Sequence, residues 1–333
     1  MTILVTGGLG FIGSNFINRF MKTHDENLIN VDSQTYAGQI ENSYDFNESP
    51  KYSFINCDIA IKDDLKNIFE KHRPDTVVNF AAETHVDRSI LSPDDFIKTN
   101  ITGTFNLLEL FKEIHESTNY KSYERVKFIH ISTDEVYGDL TLDESPFTED
   151  SNYKPSSPYS ASKAASDHLV NAYIKTYKLP AIISNCSNNY GPKQYPEKLI
   201  PVVINCCLNN SSIPVYGTGE NIRDWIHVFD HCDAIINLID SDIINETFNI
   251  GGNNEISNIT IIKNICNIMN ALFPDKKKNH LELITFVKDR LGHDFRYAID
   301  NSKISRMTNW KPKIPFDKGL LDTVKWFIKD GKN

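Results

Sequence analysis

The first half of the chain alternates short β-branched runs with longer stretches whose apolar residues recur at helical spacing. Ile3 to Val5 predicts a strand, followed by glycines and a helix from about Ile12 to Met21. Leu28 to Val31 and Tyr52 to Asn56 predict two further strands, ending at Asp32 and Asp58. Ile61, Leu65, Ile68 and Phe69 mark one face of a helix running to about Lys71, which Pro74 closes. Thr76 to Phe80, Phe128 to Ile131 and Ala181 to Asn185 predict strands, separated by helices from about Pro93 to Ser117 and Tyr159 to Tyr177. Such alternation implies right-handed βαβ units and a mostly parallel α/β sheet. Beyond about Tyr190 the pattern loosens, and Gly, Pro and Asn punctuate short elements through Asp224. A strand near Thr247 to Ile250, a helix near Asn258 to Leu272 and a last helix near Phe316 to Lys329 follow.

Composition narrows the function classes. A net charge of -9, with no like-charge run longer than Lys276 to Lys278, argues against nucleic acid as a partner. The six cysteines show no CxxC and no Cys/His zinc spacing, so neither a metal nor a disulfide framework is expected. They fit a reducing, cytoplasmic compartment. The opening MTILVTGG carries no basic n-region or cleavage site. The longest apolar stretch, Leu199 to Leu208, is interrupted by Pro201 and Asn205 and falls short of the about 20 apolar residues of a membrane span.

Gly7, Gly10 and Gly13 lie between the first strand and the first helix, and Gly8 to Gly13 also fits G-x-G-x-x-G. Glycines there permit a tight turn and let the backbone approach a pyrophosphate, which the helix N-terminus then faces. Asp32 stands 19 residues past Gly13 at the end of the second strand. A carboxylate in that place accepts bonds from ribose hydroxyls and repels a 2′-phosphate, so NAD is expected rather than NADP. Asp58 and Ile59 suit the adenine, and Ala81 and Ala82 are small enough for close cofactor approach. The expected architecture is a Rossmann-type doubly wound parallel sheet over residues 1–187, with a later strand near 225–252 returning to it. A smaller, interwoven substrate-binding domain is expected over residues 188–333.

Tyr159 and Lys163 form Y-x-x-x-K near the start of a helix, on one face. A phenol near pKa 10 is a poor base at neutrality, and a nearby ammonium together with a cationic nicotinamide is expected to lower it. The fifth strand runs into Ser132, Thr133, Asp134, Glu135, Val136, Tyr137 and Gly138. Alcohol oxidation needs the phenol and an orienting hydroxyl. Two further carboxyls at the strand end point to added acid–base work, one protonated and one ionised. Turn capping is the competing reading of the same residues.

These segments resemble the dTDP-glucose 4,6-dehydratase family of extended short-chain dehydrogenases/reductases. The likeness runs through Thr6 to Gly13, Val31-Asp32, Tyr36 to Gly38, Ala81 to Ser89, Ser132 to Gly138 and Tyr159 to Lys163. It continues through Asn188 to Pro192, Pro196 to Pro201, Arg223 to Trp225, Gly292 to Asp294 and Arg296 to Ala298, essentially the whole chain. The resemblance implies that Tyr159, aided by Thr133, deprotonates the sugar 4-hydroxyl, that Glu135 removes the C5 proton, and that protonated Asp134 assists loss of the 6-hydroxyl. It implies bound NAD regenerated in each cycle, with Phe11, Ile12, Ser33, Gln34, Thr35, Phe80, Glu83, Thr84, Thr99 and Asn189 on the cofactor side. On the substrate side it implies Thr84, Thr133, Asn188, Lys198, Leu199, Pro214, Val215, Tyr216, Arg223, Asn258, Asp289, Arg290 and His293. Arg223 and Arg290 suit a diphosphate, because guanidinium forks onto phosphate oxygens. His85 reads as structural. Leu291, and Ser33 with Gln34, depart from the family's usual residues, and neither change removes a reacting group. The family also implies a homodimer built on the Pro93–Ser117 and Tyr159–Tyr177 helices. A nucleotide-sugar 4-epimerase, a 4,6-dehydratase for another nucleotide and a non-catalytic NAD binder are the competing readings. Asp134 and Glu135 separate the first of these, which does not need them.

Overall fold

The computed structural model describes residues 1–116, 126–274 and 279–329. Its elements in chain order begin β1 (Thr2–Thr6), α1 (Phe11–Thr23), β2 (Asn27–Asp32), β3 (Tyr52–Asn56), α2 (Lys62–His72) and β4 (Thr76–Asn79). Next come α3 (Val86–Leu91), a short α4 (Asp94–Phe96), a π-helical segment (Ile97–Gly103) and α5 (Thr104–Glu116). β5 (Lys127–Thr133), a 3-10 turn (Asp134–Tyr137), α6 (Pro158–Tyr177) and β6 (Ala181–Cys186) complete the first half.

The second half holds β7 (Asn188–Tyr190), α7 (Leu199–Asn209), β8 (Ile213–Tyr216), β9 (Ile222–His227), α8 (Val228–Asp240) and β10 (Glu246–Ile250). β11 (Glu255–Ser257), α9 (Asn258–Leu272), β12 (Ile284–Val287), α10 (Ser302–Thr308) and α11 (Phe316–Lys329) follow.

Seven strands form one sheet in the order β3-β2-β1-β4-β5-β6-β10, with every neighbouring pair parallel. Alternation along each strand sends side chains to two faces. Ile3 and Val5 of β1 join Phe16, Phe20, Ile235, Leu238 and Phe248 in a cluster under α1 and α8. Leu4 joins Leu65, Phe69, Leu107, Phe111 and Val170 in a second cluster under α2, α5 and α6. Both faces are covered, which is why these strands read as continuous apolar runs. The strand order reverses at β1, and the carboxyl ends of β1 and β4 open the crevice where such sheets bind ligands.

A smaller layer lies C-terminal. β7, β9 and β11 form a three-stranded sheet, and β8 pairs with β12. α7, α9 and α11 enclose a third cluster that includes Val203, Ile204, Ile213, Ile261, Ile265, Leu320 and Val324.

Three features differ from the sequence expectation, and a fourth had no counterpart in it. The strand placed broadly at 225–252 resolves into the end of β9, the helix α8 and the strand β10, and only β10 joins the main sheet. α7 was read as an interrupted apolar stretch. Pro201 lies in its first turn, where a missing N–H costs no intrahelical bond. The helix expected from Pro93 is broken into α4, the π segment and α5, and its expected end at Ser117 lies outside the described residues, as does the Lys276–Lys278 run. Finally, Asn100 in the π segment donates to Glu83 O (3.0 Å) and Ser162 Oγ (2.8 Å) and accepts from Glu83 N (2.9 Å). That triple tie docks the segment onto the loop after β4 and onto α6. Among the described residues, no helix is long and apolar enough to cross a membrane.

Candidate active site

Three adjoining cavities run along the carboxyl ends of the strands. The outermost, about 500 Å³, is lined by Gly7, Gly10, Asp32, Ser33, Thr35, Asp58, Ile59, Phe80, Ala81, Ala82, Glu83 and Thr99. Gly7 sits at φ +69°, and a Cβ there would come within 2.7 Å of Ala81 N. A Cβ on Gly13 would stand 2.3 Å from Gly7 O, so the turn closes only on glycine. Gly10 caps α1 without a side-chain bond, leaving the first N–H groups of the helix for an anion. Asp32 Oδ2 accepts from Leu9 N (3.0 Å) and Oδ1 from Gln34 N (2.8 Å). Each oxygen keeps acceptor capacity for a ribose hydroxyl. Burial raises its pKa, while these two backbone bonds pull the other way. Gln34 does not line the cavity; its side chain accepts from Asn56 Nδ2 (2.7 Å). Asp58 Oδ2 is held by Lys98 Nζ at 2.8 Å. A dinucleotide fits this cradle: a glycine turn, a free helix end and an oriented acid.

The middle cavity, about 260 Å³, is lined by Phe11, Ile12, Gly13, Thr84, Thr133, Asp134, Glu135, Tyr159, Lys163 and Cys186. Strand β5 ends at Thr133, whose Oγ1 accepts from Glu135 N (3.3 Å) and starts the 3-10 turn. Ser157 and Ser160 form a capping box and Pro158 follows the cap, which sets the register of α6. Tyr159 therefore falls in the first turn and Lys163 one turn on, both buried. Lys163 Nζ donates to Ile131 O at 2.7 Å, and burial lowers its pKa to about 8.

The two carboxyls are not equivalent. Asp134 is 2% exposed, and its Oδ2 has no hydrogen-bond partner. Burial first, then the charges of Glu135 and Asp224, push its pKa far up. Burial also raises Glu135, but Arg223, Arg290 and Lys198 oppose that rise. Asp134 is thus the proton holder and Glu135 the better base. Tyr159 runs against expectation. Burial and the charge of Glu135 raise it well above an ordinary phenol, with only the Thr133 hydroxyl pulling down. Lys163 is turned to the Ile131 carbonyl and does not offset this burial.

The third cavity, about 340 Å³, is lined by Thr84, Asn188, Asn189, Lys198, Leu199, Pro214, Val215, Tyr216, Arg223, Asn258, Arg290 and His293. Asp289 stands behind the wall, accepting from His293 Nδ1 (2.7 Å) and Arg290 N (2.8 Å). Arg223, 4% exposed, donates to Ile222 O (2.7 Å), Asp294 O (2.9 Å) and Phe295 O (3.2 Å) and lies over the Tyr297 ring. It pairs with no carboxylate, so its charge remains available to the cavity. Arg290 Nε is buried without a partner, the kind of orphan an anionic group satisfies. Lys198 Nζ donates to Thr84 O at 3.1 Å. His85 caps α3, accepting from Arg88 N.

Some wall residues had no assigned role in the sequence reading. Tyr297 lines the third cavity and donates to Asp294 Oδ2 at 2.5 Å. Arg88 stacks 3.6 Å over the Tyr36 ring and bonds Glu197 (3.0 Å), joining the first cavity to the third. Only the resemblance, through Tyr36 to Gly38, Ala81 to Ser89, Pro196 to Pro201 and Arg296 to Ala298, hinted at them, because each depends on a partner distant in sequence.

The family model described as GDP-mannose 4,6 dehydratase matches residues 4–323. A dTDP-glucose 4,6-dehydratase of Neisseria gonorrhoeae is 48% identical over 98% of this chain and 95% of its own length. The crystal structure of a dTDP-glucose 4,6-dehydratase from Bacillus anthracis in complex with NAD superposes with TM-score 0.86 at 40% identity, covering 100% of this chain and 98% of that one. A UDP-glucose 4-epimerase from Thermotoga maritima also matches, at TM-score 0.86 and 27% identity over the full length of both chains. The scaffold is common to dehydratase and epimerase, but identity is much the higher on the dehydratase side; the chain belongs to the dTDP-glucose 4,6-dehydratase family.

Proposed function

We propose that this chain is an NAD-dependent hydro-lyase that converts dTDP-glucose to dTDP-4-keto-6-deoxyglucose. The observation that carries the reading is the enclosed pair Asp134 and Glu135, adjacent in sequence and unlike in charge preference, beside Tyr159 in one cavity. An epimerase has no use for such a pair.

NAD belongs in the first cavity, with Gly7, Gly10 and Gly13 at the pyrophosphate, Asp32 at the ribose and Tyr159 and Lys163 toward the nicotinamide. When bound, it would supply a reversible hydride acceptor for the C4 and C6 carbons and a positive ring charge. The ring charge of the bound cofactor would lower the raised phenol of Tyr159, whose oxygen, as phenolate, takes the proton of the sugar 4-hydroxyl, with Thr133 orienting that hydroxyl. A ketone at C4 acidifies C5, and Glu135 removes the C5 proton. Asp134 donates to the 6-hydroxyl as C6–O breaks and water leaves. Glu135, its proton exchanged with solvent, then reprotonates C5. Tyr159 has gained the one proton that Asp134 has lost, and their exchange resets the site. Arg223 and Arg290 take the diphosphate and, with Lys198, keep Glu135 ionisable.

We place this chemistry in a cytoplasmic homodimer, with no nucleic-acid or membrane partner. Exposed Ile97 of the π segment, Phe105 of α5 and Tyr177 of α6 support the pairing; sedimentation at micromolar concentration tests it. For the reaction, purified protein is assayed against a panel of nucleotide sugars by mass spectrometry in deuterated water. Loss of one water with one solvent deuterium fixed at C5 is the expected result. Inversion at C4 with the 6-hydroxyl retained overturns it in favour of an epimerase, and bound NAD without turnover in favour of a non-catalytic binder.

A further inference from the structure

Below the reacting groups lies a carboxylate that the mechanism above does not use. Asp167 is fully buried on α6, one turn beyond Lys163 on the same helix face. Its Oδ2 accepts from Ser132 Oγ (2.7 Å) and Tyr153 OH (3.0 Å). Its Oδ1 makes no hydrogen bond and lies 3.4 Å from His130 Nε2, which pairs with Ser166 Oγ at 3.1 Å. His130 Nδ1 lies 3.2 Å from the Asn79 amide nitrogen, so Nδ1 is the acceptor and Nε2 carries the hydrogen. The imidazole is neutral, its pKa lowered to about 4 by burial and by Lys163.

A fully buried carboxylate surrounded only by neutral donors is costly unless an opposite charge lies near. Lys163 is the nearby cation, one helical turn back on the same face, and the charge of Asp167 favours its ammonium. Ser132, meanwhile, immediately precedes Thr133, Asp134 and Glu135 on β5. One carboxylate therefore touches the strand end that carries one half of the chemistry and neutralises the helix that carries the other.

We infer that Asp167 is a positioning residue of this site: the buried counter-charge that keeps Lys163 an ammonium, and the tie that holds the end of β5 in register with α6. The inference rests on the proposed role of Lys163 for its activity readout. Its stability readout does not.

The test is Asp167→Asn, which keeps the acceptor oxygen toward Ser132 and Tyr153 and removes only the charge, with Asp167→Glu as the conservative rescue. The groups around the pair are His130, Tyr153, Tyr159, Asp134, Glu135 and Cys186, all present in wild type and variant alike, so differences between the two isolate the pair. Melting of the purified protein, as isolated, is followed from pH 6 to 9.5. Lys163, lowered to about 8 in the fold, is charged at the acid end of this range and neutral at the other. The Asn variant lacks the counter-charge only where the ammonium exists, so its deficit is largest near pH 6 and closes as pH passes through 8. In turnover, the alkaline limb moves to lower pH by about one unit, so the activity deficit is about sixfold larger at pH 8.5 than at pH 6.5. Glu restores both profiles. A melting deficit constant across the range, or an alkaline limb that does not move, overturns the inference. If wild type turns over no nucleotide sugar, the functional proposal fails and the melting comparison still decides this one.

Discussion

The cavity for the cofactor and the cavity for the sugar nucleotide both adjoin the middle chamber, the first through Gly7, Gly10 and Phe80 and the other through Thr84 and Asn189, yet they are built differently. The first is made largely by backbone. Gly7, Gly10 and Gly13 fall within seven consecutive residues, and Asp32 is held by N–H groups of Leu9 and Gln34. The second is made by side chains from distant segments: Thr84, Lys198, Arg223 and Arg290 meet across more than 200 residues of chain. Local geometry recognises what all members of a fold bind. Imported charges decide what is done to it, and here they also set the protonation of the acid pair.

This contrast can be broken at several points. The largest effect is expected at the chemical centre. Glu135→Gln removes the base while keeping shape, and turnover should fall roughly 10²- to 10⁴-fold. NAD affinity, measured by fluorescence quenching, should stay unchanged; a parallel loss of NAD would mean the two cavities are not separable. Next is the backbone-built cavity. In Gly13→Ala the new methyl meets Gly7 O, and overpacking of this kind costs about 1–3 kcal/mol. NAD affinity should drop by that amount, and full affinity in the variant would show that the turn yields. For the imported charges, Arg290→Ala should raise KM about tenfold, the loss of about 1.4 kcal/mol from a charged hydrogen bond, with NAD affinity intact. Titration with the sugar nucleotide checks this, and an unchanged KM would remove Arg290 from the anion site.

The smallest effect is on stability, and it runs upward. The folded pKa of Asp134 lies above its unfolded value, so the stability it contributes is full at acid pH and is lost as pH rises through the folded value. Asp134→Asn stays neutral and avoids that loss. Its Tm relative to wild type should therefore climb between pH 4 and pH 8, by about 2 °C for each kcal/mol regained. Equal differences at the two pH values would mean that Asp134 ionises freely in the fold. A site that is destabilising to keep and necessary for turnover is the expected trade-off.

The α/β alternation, the glycine turn, Asp32 and the Tyr159–Lys163 spacing were all legible along the chain. Each depends on contacts within a few residues or one helical turn, and periodicity records such contacts directly. The helices α7 and α8 were not legible. Pro201 reads as a break unless its place in the first turn is known, and α8 needs the apolar face of α1 and the sheet to declare which side is buried. The two carboxyls at 134 and 135 were legible as a pair, but their division of labour came only from the family.

The sequence by itself determined the fold class, the turn that cradles a dinucleotide and the candidates for the reacting groups, because these follow from residue type and local spacing. Only the tertiary structure decided the charge states. It buried Asp134 without a partner, brought Arg223, Arg290 and Lys198 around Glu135, and turned Lys163 toward Ile131 and away from the role of lowering Tyr159. Proton affinity depends on desolvation and on charges carried in from remote segments, and neither quantity exists until the chain has closed around the site.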